Sequence, residues 1–548
     1  MRGMKGIKRM LLFMLVFSVV FSMAACGGGG GGEQKEGDGA EYTPITICMA
    51  SEPESMDPNL SSTVDGATML SHLFEGLIKY EDDGNGMAML VPGTAEKWDI
   101  SEDGLTWTFH LRKDAVWSDG QPVTSKDFLF SWNRLVAPET AAEYAYLLDI
   151  VARDENGNLK ISAPDDSTFE VTLLSKAPYF EEICAFPSCF PLRQDIIEAN
   201  GEKWTFSPDT YISNGSYTLK EWNHNADILM EKSDTYYGKD KIMTPSLKFA
   251  LMDDANAIFA GYRSGDLNYI QSFPQNEIPA LKESGDLRSS VQLGTYYVTF
   301  NNQKAPFDNP KVREAFSLAI DRNYIVEKIT QTGEAPADGF VPLGINDNDP
   351  NMPDFRKEGG SYYSVKPDDY ASNQEKAKQA LADAGYPEGK GFPVVEYAYN
   401  TDARHKAVAE VLQNMWQTTL GVTVTLQNQD WNTFIQARQN GNYQIARDGW
   451  IGDFNDPITF LDLFLAKSGN NDPKYNNPAY DKIIDQVRNT SDQTERMKLL
   501  HQAEDMLFND SAIAPIYFYV QAYISNLEGW YSSPMGYLFF DHAKIVKK

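Results

Sequence analysis

The sequence predicts a mixed α/β (α+β) fold that is divided among several domains. Short runs in which apolar and polar residues alternate, such as 105–111, are typical of strands. Other stretches repeat their apolar residues at helical spacing, as 401–419 does, and the two kinds of segment follow one another along the chain. A chain of 548 residues exceeds what one hydrophobic core can serve, so we expect two or three domains.

The first 26 residues have the composition of a secretory leader. Basic residues come first, an apolar run follows over 10–21, and small residues precede Cys26. The apolar run is shorter than the ~20 residues that a membrane-spanning helix needs. We therefore predict a signal peptide over residues 1–25. The glycine-rich segment 26–42 that follows has the composition of a flexible tether.

Strands and helices are mixed in the first half of the mature chain. A strand at 42–50 alternates apolar and polar residues, and a helix is predicted at 62–79. The apolar residues of a strand at 105–111 share one face, and Thr124 caps a helix that reaches residue 135. Further strands are predicted at 159–161 and 168–173, a hairpin at 216–222 and 226–232, a helix at 254–265 and a strand at 292–301.

The second half of the chain has clearer α/β character. A helix is predicted at 310–330, and a turn-rich loop follows over 332–369, a length that is usually functional or mobile. Helices are then predicted at 373–384, 401–419, 431–439, 479–490 and 493–508, and strands at 394–399, 422–427, 443–447 and 513–519. We find no internal repeat.

The charge balance excludes two classes of partner. The formal net charge is −29 at pH 7. Nucleic-acid binding needs clustered Lys and Arg, so we expect no nucleic-acid partner. Attachment to anionic lipid through basic patches is excluded on the same ground.

The four cysteines do not form a known metal or redox motif. They are Cys26, Cys48, Cys184 and Cys189, and no two have C-x-x-C spacing, so a zinc ribbon or a thioredoxin-like site is unsupported. Cys184 and Cys189 could form a disulfide in an oxidising compartment, but their spacing does not decide it.

The sequence lacks the usual signatures of catalysis. There is no H-E-x-x-H, no G-x-S-x-G and no Walker A loop. The six histidines lie singly, and the acidic loops at 82–85 and 346–349 lack a full set of calcium ligands. We therefore expect a protein that is not an enzyme and that needs no cofactor or metal.

One segment combines charge, aromatic and turn residues. It runs from Arg447 to Pro457 and reads R-D-G-W-I-G-D-F-N-D-P, at the end of the alternating strand. Such a pattern is either a solvated turn, for which Gly, Asn, Asp and Pro supply the geometry, or a site. Trp450 beside charges of both signs favours a site for a zwitterionic ligand with apolar parts.

This segment closely resembles the signature of the extracytoplasmic solute-binding proteins of family 5, the oligopeptide-binding receptors of ABC transporters. The resemblance extends over essentially the whole mature chain. Other segments that carry it are Ser51 to Pro58, Leu73 to Leu77, Ser213 to Tyr217, Val298 to Phe307, Val312 to Arg322 and Tyr475 to Asp481.

The resemblance implies a two-lobed, three-domain clam-shell of the large peptide-receptor type. Domain I would be discontinuous, domain II would lie within the first lobe, and domain III would form the second lobe. Ligand in the cleft between the lobes would stabilise closure, and an ABC permease would recognise the closed form. The implied segments are 43–75, 200–298 and 515–548 for domain I, 76–199 for domain II and 299–514 for domain III.

The resemblance also implies how a short peptide is bound. Asp453 matches the position that pairs with the peptide α-ammonium. Arg447 and His405 match positions that, in some members of the family, receive the α-carboxylate of short peptides. Arg offers two parallel donors to a carboxylate, and the start of a helix, where His405 lies, has a dipole that favours an anion. Asp448 departs from the expected small residue and could neutralise Arg447.

Five further residues complete the expected ligand site. Trp431 and Trp450 line side-chain pockets, although any Trp is more often part of the core. Gly449 and Ile451 offer their backbone groups to the peptide, and Glu52, which follows the first strand, could face the cleft.

The leader ends in a sequence that resembles a bacterial lipoprotein box, Met23-Ala24-Ala25-Cys26. This implies lipidation of Cys26, and a diacylated cysteine supplies enough buried chain for stable attachment. The alternative is cleavage that leaves an ordinary cysteine. The expected protein is a monomer, held by its N-terminal lipid on the outer side of the bacterial cell membrane.

Three alternatives remain open at this point. A nickel-chelate receptor of the same family would need histidines or a bound chelator, and His405 is the candidate ligand. An oligosaccharide receptor would stack sugars on Trp without recognising terminal charges. A secreted hydrolase would turn peptides over.

Overall fold

The computed structural model describes residues 42–49, 52–53, 55–347 and 353–546. The predicted signal peptide 1–25, the lipidation site Cys26 and the tether up to residue 41 lie outside the described residues. Within the described ranges no helix is long and apolar enough to cross a bilayer.

The first half of the chain is mixed α/β, as predicted. Its elements are β1 (Ile45–Cys48), α1 (Val64–Leu73), β2 (Ile78–Asp82), β3 (Ala88–Pro92), β4 (Ala95–Ile100), β5 (Thr106–Leu111), α2 (Ser125–Val136), β6 (Ile161–Asp165), β7 (Thr168–Thr172), α3 (Phe180–Cys184), α4 (Gln194–Asn200), β8 (Tyr217–Asn223), β9 (Asp227–Lys232), β10 (Ser246–Ala250), α5 (Ala255–Ser264), β11 (Tyr269–Ile270) and α6 (Ile278–Ser284).

The second half begins with a long strand and ends with another. Its elements are β12 (Leu287–Phe300), α7 (Pro310–Leu318), α8 (Arg322–Tyr324), β13 (Ala335–Pro336), α9 (Phe355–Gly359), α10 (Tyr370–Asp383), β14 (Val395–Asn400), α11 (Ala403–Leu420), β15 (Val424–Gln429), α12 (Trp431–Gln439), β16 (Ile445–Ile451), α13 (Ile458–Leu461), α14 (Pro478–Asn489), α15 (Gln493–Asn509), β17 (Ile513–Ser525), β18 (Leu527–Glu528), β19 (Tyr531–Ser532), β20 (Leu538–Phe539) and β21 (Lys544–Ile545).

A sheet of eleven strands runs through the described chain. Its order is β15-β14-β16-β12-β17-β11-β1-β10-β9-β8, with β13 paired to β17. The long strands β12 and β17 pair antiparallel along most of their lengths and join the two ends of this sheet. We call residues 299–514 the second lobe and the rest of the described chain the first lobe, and the predicted domain boundaries stay a prediction.

A separate four-stranded sheet, β4-β5-β7-β6, lies in the first lobe. The predicted one-sided pattern of β5 is confirmed, since Trp107, Phe109 and Leu111 are buried while the residues between them are half-buried. The capping box at Thr124 is also confirmed, with Asp127 accepting from the Thr124 N–H at 2.7 Å. Alternation and capping depend only on residues that are close in sequence, so the sequence alone was sufficient to predict them.

The predicted helix at 62–79 is too long. Helix α1 ends at Leu73, and β2 has begun by Ile78. Between them the buried carboxylate of Glu75 accepts hydrogen bonds from the hydroxyls of Tyr236 and Tyr237. A Cβ on Gly76 would lie 2.5 Å from the carbonyl oxygen of Cys184. Contacts with distant segments therefore override the local helical pattern.

The predicted helix at 310–330 is also wrong, because it breaks after Leu318. The carboxylate of Asp321 accepts from the Tyr324 N–H at 3.0 Å and caps a new start. Residues Ile325–Thr330 then form a π-helical turn. The predicted loop at 332–369 contains β13 and α9, so it is less irregular than its turn residues indicated.

The three described cysteines are buried free thiols. The disulfide that the sequence left open between Cys184 and Cys189 is not formed in this structure. Burial raises the pKa of the Cys184 thiol well above its usual range.

Candidate functional site

A cavity of about 1490 Å³ contains all eight predicted ligand residues in its lining. Both lobes contribute to it. The first lobe supplies the start of α1, the start of α5 and a 3₁₀ helix at Glu143–Ile150, and the second supplies α12, β16 and the start of α11. The predicted residues in the lining are Glu52, His405, Trp431, Arg447, Gly449, Trp450, Ile451 and Asp453.

One edge of β16 is unpaired where the strand meets the cavity. Strand β12 pairs with all of β16, from Ile445 to Ile451. Strand β14 pairs with β16 only at Ile445 and Ala446. From Arg447 onward, no strand of the described residues lies on that second edge. An unpaired edge is a template for one more strand.

The backbone groups of Gly449 and Ile451 point to this unpaired edge. The Gln444 carbonyl accepts from the Asn301 N–H at 3.0 Å, and the Gly452 N–H donates to the Leu293 carbonyl at 2.7 Å. Even-numbered residues of β16 therefore face β12. Because backbone groups alternate between the two edges of a strand, residues 447, 449 and 451 face the cavity side.

Gly449 allows a close contact that another residue would prevent. A Cβ at this position would overlap the hydroxyl of Tyr519, which also lines the cavity. The Gly449 N–H donates to the carboxylate of its neighbour Asp448 at 2.8 Å. This N–H is thus held by a local side chain that an incoming carbonyl would have to replace.

Asp453 is a buried carboxylate at the end of the strand. It is 3% exposed and accepts hydrogen bonds from the hydroxyls of Tyr146 and Thr459, the latter at 3.0 Å. Thr459 belongs to the same lobe, but Tyr146 comes from the 3₁₀ helix of the first lobe. The two hydroxyls provide hydrogen bonds to the carboxylate but no positive charge to pair with it.

Burial raises the pKa of Asp453 to about 7, although the Tyr146 and Thr459 hydrogen bonds act in the opposite direction. A carboxyl placed in this way is half-protonated near neutral pH. A cation bound beside it would favour the ionised form and lower its pKa.

Arg447 is a half-buried cation with an unused donor. Its guanidinium lies 5.3 Å from the ring centroid of Tyr296, and one terminal nitrogen is 3.5 Å from the hydroxyl of Tyr519. Its buried Nε has no hydrogen-bond partner. Among the described carboxylates none lies within ion-pair distance of Arg447, so the guanidinium can receive an anion.

His405 lies beside Arg447 at the start of α11. Its Nδ1 is 3.4 Å from the Tyr296 hydroxyl. Burial and the nearby cations Arg447 and Arg404 hold the pKa of His405 well below its usual range. The ring is therefore neutral at pH 7, and it can hydrogen-bond a carboxylate without contributing charge.

The structure excludes neutralisation of Arg447 by Asp448. Successive residues of a strand point to opposite faces. Asp448 pairs instead with Arg438 at 2.6 Å, and Arg438 also holds Asp472 at 2.5 Å. All three side chains are buried. The adjacent acid is thus neutralised by a different arginine, which leaves the charge of Arg447 available.

Both predicted tryptophans line the cavity. Trp431 is 41% exposed at the start of α12, which excludes the alternative that it belongs to the core. The indole Nε1 of Trp450 is buried, and among the described groups it has no hydrogen-bond partner. A buried donor without a partner in a cavity wall indicates a group that a ligand can satisfy.

Glu52 lines the cavity, but its carboxylate is already engaged. It accepts from Trp222 Nε1 at 3.0 Å and from the Asn225 N–H at 2.8 Å, and it pairs with His224 at 2.6 Å. Its contacts connect the end of β1 to the β8–β9 hairpin. Glu52 is therefore better placed to support the wall than to bind a ligand charge.

Tyr146, Arg438 and Asp472 are cavity residues that the sequence did not indicate. Tyr146 is 307 residues from Asp453, and no local pattern relates them. A tyrosine within an apolar stretch is normally assigned to the core, so only the fold identifies it.

In the described ranges, no three His, Cys, Asp or Glu side chains form a group that could hold a metal ion.

Comparison with known proteins gives a consistent family. The model for "Bacterial extracellular solute-binding proteins, family 5 Middle" matches residues 89–472. The oligopeptide-binding protein OppA of Bacillus subtilis (strain 168) is 34% identical over 546 residues, which cover 97% of this chain and 98% of that protein.

Solved structures match over nearly the whole chain. The crystal structure of Haemophilus influenzae OppA in complex with RPPGFSPFR has a TM-score of 0.82 and 34% identity, covering 92% of this chain and 99% of that one. The murein tripeptide binding protein MppA of Escherichia coli has a TM-score of 0.83 at 32% identity, with 93% and 99% covered. These matches confirm the predicted two-lobed clam-shell.

A second MppA structure, of the unliganded protein, is less similar to this chain. MppA in its unliganded open form covers 93% of this chain and 98% of that one at the same 32% identity, but its TM-score is 0.66. This chain is thus less similar to the unliganded open form than to the other MppA structure. The direct contact between Tyr146 and Asp453 agrees with a closed arrangement.

Proposed function

Since the chain belongs to the bacterial extracellular solute-binding proteins of family 5, we propose that it is an extracytoplasmic receptor that captures short peptides in the cavity between its lobes and delivers them to an ABC permease. Binding and release are sufficient for this role, and no chemical step on the ligand is required.

The unpaired edge of β16 is the observation that best supports a peptide ligand. A buried amide without a hydrogen-bond partner costs about 1–3 kcal/mol, so a peptide site must supply donors and acceptors along the ligand backbone. Gly449 and Ile451 present such groups toward the cavity. An extended peptide that adds here as a strand would have its backbone paired whatever its side chains are.

The charges at the site fit the two ends of a free peptide. The carboxylate of Asp453 would pair with the α-ammonium, displacing the hydroxyl of Tyr146. Arg447, whose Nε is unused, would receive the α-carboxylate together with neutral His405. Pairing is needed because a desolvated terminal charge without a partner is expensive.

The open surroundings of the tryptophans support tolerance of different side chains. Trp431 is largely accessible, and Trp450 also lines the cavity. Roomy pockets that hold water accept side chains of several kinds, because water can bridge whatever polar groups remain. We therefore propose that peptide side chains contribute less to affinity than the backbone and the termini.

We further propose that Cys26 carries the lipid anchor and that the segment up to residue 42 tethers the receptor to the outer face of the cell membrane. The composition of residues 1–26 supports this proposal. We propose a monomer, with permease subunits as its protein partners.

Blocked peptides test the proposal directly. We expect calorimetric titration of the chain from Gly27, freed of carried-over ligand, to show binding of free tri- and tetrapeptides. N-acetylation removes the cation for Asp453, and C-amidation removes the anion for Arg447. Acetylation should abolish binding, and amidation should weaken it by about tenfold or more.

Other patterns in the same titration would redirect the assignment. Loss on acetylation alone would leave the α-carboxylate unbound and indicate longer ligands. Absence of binding by every peptide would contradict the proposed function and favour a sugar or a metal chelate. Release of amino acids during the titration would indicate a hydrolase.

Peptide affinity should have a maximum between about pH 7 and pH 8. Below pH 7 the carboxyl of Asp453, whose pKa is about 7, is protonated in the empty cavity. Binding must then release a proton, so affinity falls by up to about tenfold per pH unit. Above pH 8 the peptide amino group loses its own proton.

The fall in peptide affinity below pH 7 is caused by Asp453 only if it is absent from the Asp453→Asn variant. The control is necessary because burial also raises the pKa of Glu182 and of Asp472 to about 7. Titration in buffers of different ionisation enthalpy at pH 6 should show a proton released by the wild type and none by the variant. If affinity still falls below pH 7 in the variant, another carboxyl causes the fall.

A further inference from the structure

Phe454, Asn455 and Asp456 follow Asp453 directly, but none of them lines the cavity. They belong to the segment that the sequence identifies as a site, so peptide binding alone leaves them without a role. Phe454 and the Asn455 backbone contact the first lobe, and Asp456 contacts the second lobe.

Phe454 stacks on Tyr179 of the first lobe. The two ring centroids are 4.4 Å apart, and the rings are within 7° of parallel. Both side chains are buried and lie in one continuous apolar cluster, which includes residues of both lobes. The stack therefore forms only when the lobes are together.

Asn455 connects the lobes through its backbone. Its N–H donates to the carboxylate of Glu182 in the first lobe at 2.8 Å. Its side chain remains within the second lobe, accepting from the Asn346 N–H at 2.8 Å and donating to the Gly344 carbonyl at 3.2 Å. The side chain thus holds the backbone N–H in position for Glu182.

Asp456 anchors the segment 454–456 to the second lobe through Arg496. It forms two hydrogen bonds of 2.7 Å with Arg496, and both side chains are buried. The same guanidinium lies 5.3 Å from the ring centroid of Tyr179. Arg496 thus connects the segment to its own lobe and places a cation beside the stacked ring.

We propose that the Tyr179–Phe454 stack and the Asn455–Glu182 hydrogen bond form a latch that holds the lobes closed and so sets the affinity for every peptide without touching any of them. This inference rests on the proposed function, since it concerns the affinity of the same site. Tyr179, Phe454, Asn455 and Glu182 act as positioning residues.

The position of the latch determines how its loss should appear. A receptor whose competent state is only partly populated binds with an affinity reduced by that fraction. Weakening the latch lowers the closed fraction by one factor, whatever the ligand is. A residue that contacts the ligand would instead change the order of preference among peptides.

Tyr179→Leu tests the latch, with Tyr179→Phe as the conservative variant. Leucine keeps an apolar side chain but removes the stacked ring, so we expect every peptide in a mixed panel to bind about tenfold more weakly, which corresponds to about 1.4 kcal/mol. The order of preference should not change. Phenylalanine keeps the ring and should restore affinity to within about threefold.

Tyr531→Leu is the matched control. Tyr531 stacks on Phe539 with centroids 4.7 Å apart and rings within 11° of parallel, and both residues are buried within the first lobe. This variant loses an equivalent stack without changing a contact between lobes. It should lower thermal stability and leave peptide affinity unchanged.

Small-angle scattering of the peptide-free protein supplies a second readout. Tyr179→Leu should have a larger radius of gyration than the wild type, and Tyr531→Leu should not. Glu182→Ala, which removes the other half of the latch, should show the same expansion and a smaller uniform loss of affinity. It also provides the test if Tyr179→Leu does not fold.

Each result of these measurements decides one point. Unchanged affinity and unchanged radius in both latch variants would overturn the proposal. A loss confined to some peptides would also overturn it, because it would make Tyr179 a ligand contact. Absence of peptide binding by the wild type would contradict the proposed function instead. The radii of gyration of the variants would still test whether the latch holds the lobes together.

Discussion

Asp453→Asn should weaken the binding of a free tripeptide by about a hundredfold at pH 8. The substitution preserves shape and can still accept from the Tyr146 hydroxyl, but it removes the negative charge facing the peptide ammonium. Truncating one partner of a buried charge pair costs about 2–5 kcal/mol. Titration calorimetry with one tripeptide measures the loss.

The N-acetylated tripeptide serves as the control ligand. It lacks the ammonium, so its residual affinity, measured by competition, should be the same for the wild type and for Asp453→Asn. A near-unchanged affinity for the free tripeptide would contradict the ammonium contact. An equal loss for both ligands would indicate a general disturbance of the cavity.

The same variant should be more stable than the wild type when no peptide is present. The folded protein raises the pKa of Asp453 from 3.8 to about 7, so it binds a proton more tightly than the unfolded chain does. Stability from this group is present below pH 3.8 and is lost as the pH rises toward 7. At pH 8 the buried charge costs about 4 kcal/mol, and asparagine avoids that cost.

Thermal unfolding at two pH values separates this effect from others. The melting temperature of Asp453→Asn should exceed that of the wild type at pH 8, and the difference should decrease toward pH 5. Higher stability combined with weaker binding is expected of a residue kept for function. Lower stability at pH 8 would mean that the carboxylate has a stabilising partner.

Arg438→Met should destabilise the fold by about 3–5 kcal/mol at pH 8. Arg438 lies between two buried carboxylates, at 2.6 Å from Asp448 and 2.5 Å from Asp472. Removing the cation leaves both acids buried without a counter-charge, which is the costly way to break a buried ion pair. Urea unfolding measures the change.

Two further variants test whether the unpaired buried carboxylates cause the loss of stability in Arg438→Met. Arg263→Met removes an exposed pair with Glu277 at 4.0 Å and should change stability by less than about 0.5 kcal/mol. Adding Asp448→Asn and Asp472→Asn to Arg438→Met should recover most of the lost stability. A loss that persists in the triple variant would point to packing of the arginine side chain.

Local signals in the sequence located β16 and its neighbours. Helix α12 has the predicted bounds, and the predicted strand at 443–447 overlaps the first half of β16. Alternation and capping depend on residues a few positions apart, so they can be recognised without the fold. The resemblance to a family then indicated Asp453, Arg447 and His405, which the cavity brings together.

The roles of Asp448 and Glu52 could not be settled in the same way. Asp448 is adjacent to Arg447, but strand geometry sends it to the opposite face and toward Arg438. Glu52 follows β1 as expected, yet its partners lie about 170 residues away in a hairpin. Such pairings depend on how distant segments pack, and the same cause shortened the helix predicted at 62–79.

The position of β16 also limits what can join its unpaired edge. An accessible edge can recruit any extended chain, including a second misfolded protein, and so promotes aggregation. Here the edge lies in the wall of a cavity bounded by Asp453 at one end of the strand and Arg447 at the other. Under the proposed pairing of these two charges with peptide termini, a strand inside a longer polypeptide would lack the charges that complete the site, so this edge would favour short free peptides over other proteins.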